Sequence, residues 1–265
     1  SRGLGDVYKR QAMDMVKDGN ADAFVSAGNT GAAVAAATLK LRTLPGVDRA
    51  GIASAIPNEF GLCHILDAGA NPGAKSEHLV AYAVMGTAFC RNVLGVRNPT
   101  VGLMSNGGEE EKGTPFTKET FKLLKEVPDI NFVGNVEGRD LFERQLDVVL
   151  CDGFVGNVML KTVEATAKAV SKWLKTEIKG SPLRVLGGVL AQGAFKALRE
   201  KGSYETYGGS PLLGVNGVVI IAHGSSSALA VRNAIRVSME TVEHRVNPRI
   251  EQSLAELAKM PASTG

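Results

Sequence analysis

Five short apolar runs in this chain end in turns rich in Gly, Ser, Asn and Asp, and a segment able to form a helix follows each one. The turns are Ser26-Ala-Gly-Asn-Thr-Gly31, Asp67-Ala-Gly-Ala-Asn71, Ser105-Asn-Gly-Gly-Glu-Glu-Glu-Lys-Gly113, Asp152-Gly-Phe-Val-Gly-Asn157 and His223-Gly-Ser-Ser-Ser227. Backbone N–H groups at a helix start are unpaired and carry partial positive charge, so turns of small and polar residues there suit a small anion. In an open parallel sheet the carboxyl ends of the strands face one crevice, and ligands bind in it. Five decorated strand ends therefore predict one composite site.

Each turn also has a plainer reading. In Ser26–Gly31 the two glycines let backbone approach a ligand, and Ser26, Asn29 and Thr30 add side-chain donors; the same residues make a tight strand–helix turn with Thr30 as N-cap, and the two readings are compatible. Glu109-Glu110-Glu111-Lys112 is either a solvated acidic loop or a carboxylate that orients Lys112, a compact point charge, toward an anion. Asp152 before Gly153 is either a turn residue or a ligand. Asn157 and Lys161 are four apart and share a helix face. A lone histidine is often structural, yet His223 directly follows an apolar strand and precedes a helix start, which favours a role in the site. One of Ser225, Ser226 and Ser227 caps that helix.

Several known chemistries do not fit. Gly108 to Gly113 has the four-residue gap of a phosphate-binding loop, but Thr114 stands where the lysine is required, and no Gly-x-Gly-x-x-Gly occurs. This argues against an ordinary ATPase or dinucleotide enzyme. There is no G-x-S-x-G elbow and no His/Cys/Asp set at metal spacing, so no metal or cofactor is expected.

The elements that must position these turns alternate. Strands are expected at Phe24-Val25, Gly51–Ile56, Leu62–Leu66, Thr100–Met104, Asn131–Val133, Asp147–Cys151 and Val218–Ala222. Helices are expected at Thr30–Leu41, Ser76 to about Val93 and Phe116–Lys125. The alternation predicts a three-layer α/β/α fold with a mostly parallel sheet. The helix from Ser76 is apolar nearly all round and should be deeply buried. From Val158 to residue 206 no strand pattern occurs, and two helical stretches split by Gly180-Ser181-Pro182 form an excursion from a single domain over residues 12–260. Two amphipathic helices close the chain, with stripes at Ala228, Val231, Ile235, Met239, Val242 and at Ile250, Leu254, Leu257. Residues 1–11 read as a tail outside the domain.

At 265 residues and 44% hydrophobic content the chain can bury a full core. Its 31 glycines cluster at the turns, which speaks against disorder. The net charge is +3, but Lys168 to Lys201 holds eight basic and two acidic residues. That excess is either a solvated face or a docking surface for an acidic protein or an anionic membrane. Basic and aromatic residues do not interleave, so nucleic acid is not an expected partner. Cys63, Cys90 and Cys151 lack metal or redox spacing and read as reduced thiols of a cytoplasmic protein.

As a set, these turns resemble one family. The carrying residues are Ala21-Asp-Ala-Phe-Val-Ser-Ala-Gly-Asn-Thr-Gly31, Leu66-Asp-Ala-Gly-Ala-Asn71, Met85-Gly86, Glu109-Glu110 with Lys112-Gly113, Asn135-Val-Glu-Gly138, Cys151 through Lys161, Tyr207 through Gly217, and His223-Gly224-Ser225. The family is the bacterial phosphate acyltransferases, the acyl-carrier-protein–phosphate transacylases of phospholipid synthesis. The resemblance implies a fold like the isocitrate and isopropylmalate dehydrogenases and a homodimer. It implies that acyl carrier protein and inorganic phosphate are the partners in forming acyl phosphate, which passes to a membrane glycerol-phosphate acyltransferase. Acyl-CoA is an alternative donor, as in short-chain phosphotransacetylases, and a non-catalytic anion-binding module is a further reading. The family's opening strand and Asp-x-Met-Gly-Gly-Asp loop have no counterpart here, so the chain reads as lacking the first βα units.

Phosphate is itself the nucleophile in that reaction, and a thiolate leaves with little acid help because free thiols titrate near pH ~8.5. The remaining work is positioning, which can supply roughly 7–11 kcal/mol, and holding the oxyanion. Expected phosphate or substrate ligands are Ser26, Asn29, Thr30, Asp67, Asn71, Glu109, Lys112, Asp152 and Ser225. Asn157, Lys161 and His223 are the expected catalytic groups, with His223 moving a proton or holding the oxyanion. The basic Lys168–Lys201 section then reads as a surface for the acidic carrier, as peripheral membrane contact at the inner face through Leu183, Val185, Leu186, Val189, Leu190 and Phe195, or as a dimer seam.

Overall fold

The computed structural model describes residues 4–202 and 207–259, so residues 203–206 and 260, at the ends of the expected ranges, lie outside it. Its elements run α1 (Leu4–Lys17), β1 (Ala23–Ala27), α2 (Thr30–Lys40), β2 (Gly51–Asn58), β3 (Gly61–Leu66), α3 (Ser76–Asn92), β4 (Thr100–Met104), α4 (Pro115–Lys125) and β5 (Asn131–Val136). They continue α5 (Asp140–Glu143), β6 (Val148–Leu150), α6 (Gly153–Lys179), α7 (Pro182–Leu190), α8 (Gln192–Gly202), β7 (Ser210–Leu213), β8 (Val218–Ala222), α9 (Ala228–Glu243) and α10 (Val246–Ala258). The boundary expected at residue 11 falls inside α1.

Eight strands form one sheet in the order β1-β8-β7-β2-β3-β6-β4-β5. Two parallel blocks, β1 with β8 and β3 with β6, β4 and β5, flank an antiparallel centre where β7 and β2 reverse direction. Helices cover both faces, which gives the expected three layers. On one face α3, α4 and α10 close over Leu66, Val101, Leu103 and Val148, with α3 buried nearly all round as expected. On the other, α1, α2 and the start of α6 close over Ile52, Ile65, Val149 and Ile221. α9 packs on β8 and β1 beside the first group.

Three expectations need correction. β7 is a second late strand, hidden because Gly208-Gly209-Ser210-Pro211 carries turn residues and proline cannot donate to a ladder. The excursion holds three helices, because a second break falls at Ala191. The face of α9 that packs is Ala230, Ala234, Val237 and Thr241, while Ile235 and Met239 of the expected stripe are about half exposed. Small residues let α9 approach the sheet closely, so the smaller stripe is the one turned inward.

The reversal at the centre also overturns the single row of strand ends. β1 and β8 finish at the edge opposite to β3, β6 and β4. Turns Ser26–Gly31 and His223–Ser227 therefore leave strands that run one way, and the other three leave strands that run the opposite way.

One buried titratable group on β3 gives a testable pH response. His64 is 5% exposed, packs edge-on to Phe89 at 5.6 Å, and leaves Nδ1 buried with no hydrogen bond among the described residues. Burial pushes its pKa down from 6.5 to about 4, against a smaller upward pull from Asp147. A base lowered in the folded state contributes stability above pH 6.5 that is lost as pH falls toward 4, up to about 3 kcal/mol. Melting curves across that window should show the loss, and His64→Phe should flatten it. An identical slope in the variant refutes the assignment.

Candidate active site

The residues that could act together are gathered by α6. Asp152 caps this helix: its Oδ1 accepts from the Phe154 and Val155 N–H groups at 2.8 and 3.0 Å. The first turn then lies directly on the loop after β3. A Cβ on Gly153 would fall 2.7 Å from Asp67 Oδ2, and one on Gly156 2.0 Å from the Asp67 carbonyl oxygen. Only glycine allows that approach. From there α6 crosses the sheet face toward the opposite edge, with Asn157 set against Gly69 and Lys161 one turn further. The helix thus carries side chains from the β3/β6 edge toward the ends of β1 and β8.

Where they meet is a cavity of about 330 Å³. Thr30 and Gly31 from the α2 start, Asn157, Lys161 and Glu164 from α6, and His223 at the end of β8 line its rim. Ile52, Ser54, Ala68, Ser210 and Ile221 line the rest, with Leu160 adding apolar surface and Tyr207 standing at one side. Four expected residues, Thr30, Asn157, Lys161 and His223, are therefore brought together from three distant segments.

Each has a defined setting. Asn29, and not Thr30, is the N-cap of α2, its Oδ1 accepting from Ala32 N–H at 2.8 Å. That leaves the earlier N–H groups of the first turn, at Thr30 and Gly31, facing the cavity, where an anion is favoured. Lys161 Nζ pairs with Glu164 at 2.9 Å. Among the described residues the Asn157 amide has no hydrogen-bond partner. His223 Nδ1 lies 2.7 Å from Ser225 Oγ and accepts the Ser225 backbone N–H at 3.2 Å. A backbone N–H can only donate, so neutral His223 carries its proton on Nε2.

The other expected ligands have different tasks. Asp67 is fully buried and its carboxylate accepts from the N–H groups of Ile52, Gly69, Ala70 and Asn71 at 2.6–3.1 Å. Burial pushes its pKa up, and those N–H groups pull against it. Asn71 donates to the Ala50 carbonyl and to Tyr82 Oη. Both residues build the platform for α6 instead of the cavity wall. Asp152 is the cap described above, and Ser225 contacts His223 Nδ1 without lining the cavity. Ser26 is 7% exposed beneath the α2 turn.

The Ser105–Gly113 loop lies beyond β6 and supplies none of the cavity lining. There the Glu109 carbonyl accepts from Asn135 at 2.8 Å, Glu110 pairs with Lys125 at 3.2 Å, and the Lys112 stem folds over Gly107. Glu109 and Lys112, in the loop after β4, are thus set apart from the Thr30–His223 group by the strands that lie between β8 and β4. Sequence reasoning missed Glu164, three residues after Lys161 on the same helix, and it missed Ser54 and Ser210. The serines carried no signal, because nothing in the sequence shows that β2 and β7 pair.

Comparison with known proteins now bears on this site. Residues 9–249 match the family model described as fatty acid synthesis protein. A phosphate acyltransferase of Akkermansia muciniphila is 60% identical, over 94% of this chain and 73% of that protein. This chain belongs to the phosphate acyltransferase family. Another phosphate acyltransferase, from Pelotomaculum thermopropionicum, is 51% identical over 92% of the chain and 71% of its own length. The fold is shared with a Streptococcus pyogenes phosphotransacetylase (TM-score 0.53, 17% identity, 93% of this chain and 67% of that one). It is shared also with a branched-chain phosphotransacylase from Enterococcus faecalis V583 (TM-score 0.55, 13% identity, 89% and 79%). In this phosphate acyltransferase family member Thr30, Asn157, Lys161 and His223 converge on the cavity at the α2 start, while Asp67, Asn71 and Asp152 gather at the start of α6.

Proposed function

We propose that this chain transfers a long-chain acyl group from acyl carrier protein to inorganic phosphate, and that the reaction runs in the cavity between α2, α6 and β8. The observation that carries this reading is the convergence of donors: the α2 N–H groups, the Asn157 amide, Lys161 and the Nε2–H of His223. Phosphate sits at the α2 start, and Lys161 turns from Glu164 to balance its charge. One phosphate oxygen attacks the thioester carbonyl carbon, and the carbonyl becomes an oxyanion held by His223 and Asn157. The C–S bond then breaks, the carrier leaves as thiolate, and acyl phosphate remains. Cys63, Cys90 and Cys151 are all buried, with burial pushing each thiol pKa up, so none serves as a competing nucleophile.

The partners follow from the surface. Helices α6–α8 carry the basic excess outward, which supports docking of the acidic carrier. Exposed Phe154, Val158 and Trp173 on α6 and Leu183, Leu186 and Leu190 on α7 support a seam between two copies, with peripheral membrane contact as the other use of α7. No described helix is long and apolar enough to cross a membrane. The acyl phosphate product would pass to a membrane glycerol-phosphate acyltransferase in phospholipid synthesis.

The test is release of carrier thiol from palmitoyl-carrier protein with and without phosphate. Release that requires phosphate supports the reading, and phosphate-independent or absent release rejects it. Preference for acetyl-CoA would favour a short-chain phosphotransacetylase instead. Lys196→Glu with Arg199→Glu should raise the KM for the carrier and leave that for acyl-CoA unchanged; an unchanged carrier KM removes the docking surface.

A further inference from the structure

The floor of the cavity holds two hydroxyls that no other part of the fold explains. The register that sets Gly51 against Leu213 and Ile52 against Leu212 places Ser54 opposite Ser210 across the antiparallel β2–β7 pair. Their Oγ atoms are 2.7 Å apart, and both residues line the cavity. Ser54 is 4% exposed, yet it is not filling core: the row continues across β8 through Ile221, also on the cavity wall, to Ser26 on β1.

Counting protons defines what the pair can do. Two hydroxyls carry two O–H donors, and their mutual hydrogen bond uses one. Among the described residues neither hydroxyl has a further partner, so one O–H remains to be given outward. With Ser54 buried and Ser210 half-buried on the cavity wall, that O–H points to the cavity for its acceptor, and a ligand oxygen that only accepts would satisfy it. Phosphate oxygens without a proton meet that condition, and the same cavity already offers the α2 N–H groups and Lys161 to an anion.

We propose that Ser54 and Ser210 form the floor of the acceptor-phosphate subsite, the paired hydroxyls donating one hydrogen bond to a phosphate oxygen from the sheet side. This rests on the phosphate acyltransferase reading of the cavity. It adds the third direction of contact: helix N–H groups on one side, Lys161 on the other, hydroxyls beneath. Because either serine alone still carries one O–H, the two act redundantly. Loss of one should be mild and loss of both severe.

The experiment is calorimetric titration of inorganic phosphate into the unmodified chain, Ser54→Ala, Ser210→Ala and the double variant. Removing both partners of this half-buried hydrogen bond together leaves no orphaned group, so the double variant should fold. Its melting temperature is measured alongside. The expected result is phosphate affinity weakened at least about tenfold in the double variant, ~1.4 kcal/mol, and less in either single one. Where turnover is measured, the KM for phosphate should rise with that for the acyl donor unchanged. Equal phosphate affinity in the double and unmodified chains, or no phosphate binding by the unmodified chain, overturns the proposal. The proposed transfer fails separately, only if thiol release shows no dependence on phosphate.

Discussion

Gly156→Ala is expected to dislodge α6 and, with it, the wall of the cavity proposed as the active site. The new methyl would lie 2.0 Å from the Asp67 carbonyl oxygen and 2.9 Å from Cys151 Sγ. The first obstacle is backbone, fixed by the N–H bonds that hold the Asp67 loop, so no side chain can swing away. Overpacking of side chains usually costs about 1–3 kcal/mol, and contact with rigid backbone belongs at or above the top of that range. For a domain of this size about 3 kcal/mol lowers the melting temperature by roughly 6–12 °C. Activity should fall further than stability alone explains, because Asn157 and Lys161 ride on the displaced helix. Gly193→Ala on α8, where nothing outside its own stretch of helix lies within 4 Å of the added carbon, is the control and should melt at or slightly above the unmodified chain. An unchanged melting temperature in Gly156→Ala contradicts the docking of α6 described here.

The second large effect is expected at His223. If Nε2–H holds the oxyanion, His223→Ala should lower kcat by about 10²–10³, the loss typical of one such donor. The KM for phosphate should change little, which separates this residue from Lys161 and the serine pair. His223→Gln keeps an N–H donor but cannot carry a proton through the reaction. Partial rescue by glutamine assigns hydrogen-bond donation, and equal loss in both variants assigns proton movement. A near-normal rate in His223→Ala removes the residue from the mechanism. Ser225→Ala, which deletes the hydroxyl beside Nδ1, should give a smaller loss because the backbone N–H still holds the ring.

How far the sequence could be read depends on the range of the interaction involved. Helix α3 was legible because its apolar residues cover the whole circumference, and α2 because an Ala-rich run follows a polar turn. That a serine caps α9 was legible, but the choice of Ser227 among three neighbours was not, and Asp152, read as a turn residue or a ligand, proved to be the cap of α6. The cap on α2 was misplaced by one residue, because Asn29 and Thr30 are both good caps and only backbone geometry chooses between them. The shared face of Asn157 and Lys161 on α6 was legible too, because residues four apart lie together in any helix, and both line the cavity.

Strand direction was not legible. Ser210-Pro211-Leu212-Leu213 is too short and too turn-like to announce a strand, and its insertion beside β2 reverses half the sheet. The pairing order sets Lys112 and Glu109, after β4, several strands away from His223, while Ala68 and Gly69 after β3 and the face of α6 reach the same cavity as His223.

The residues alone determined the layered α/β class, the family and the three segments that supply Thr30, Asn157, Lys161 and His223, because local periodicity, capping and turn chemistry are written over a few positions. Only the tertiary structure decided which turns share a cavity and that Ser54 faces Ser210. Those facts depend on the pairing and polarity of strands far apart in the chain, which is settled by the packing of the whole sheet and leaves no mark within any single segment.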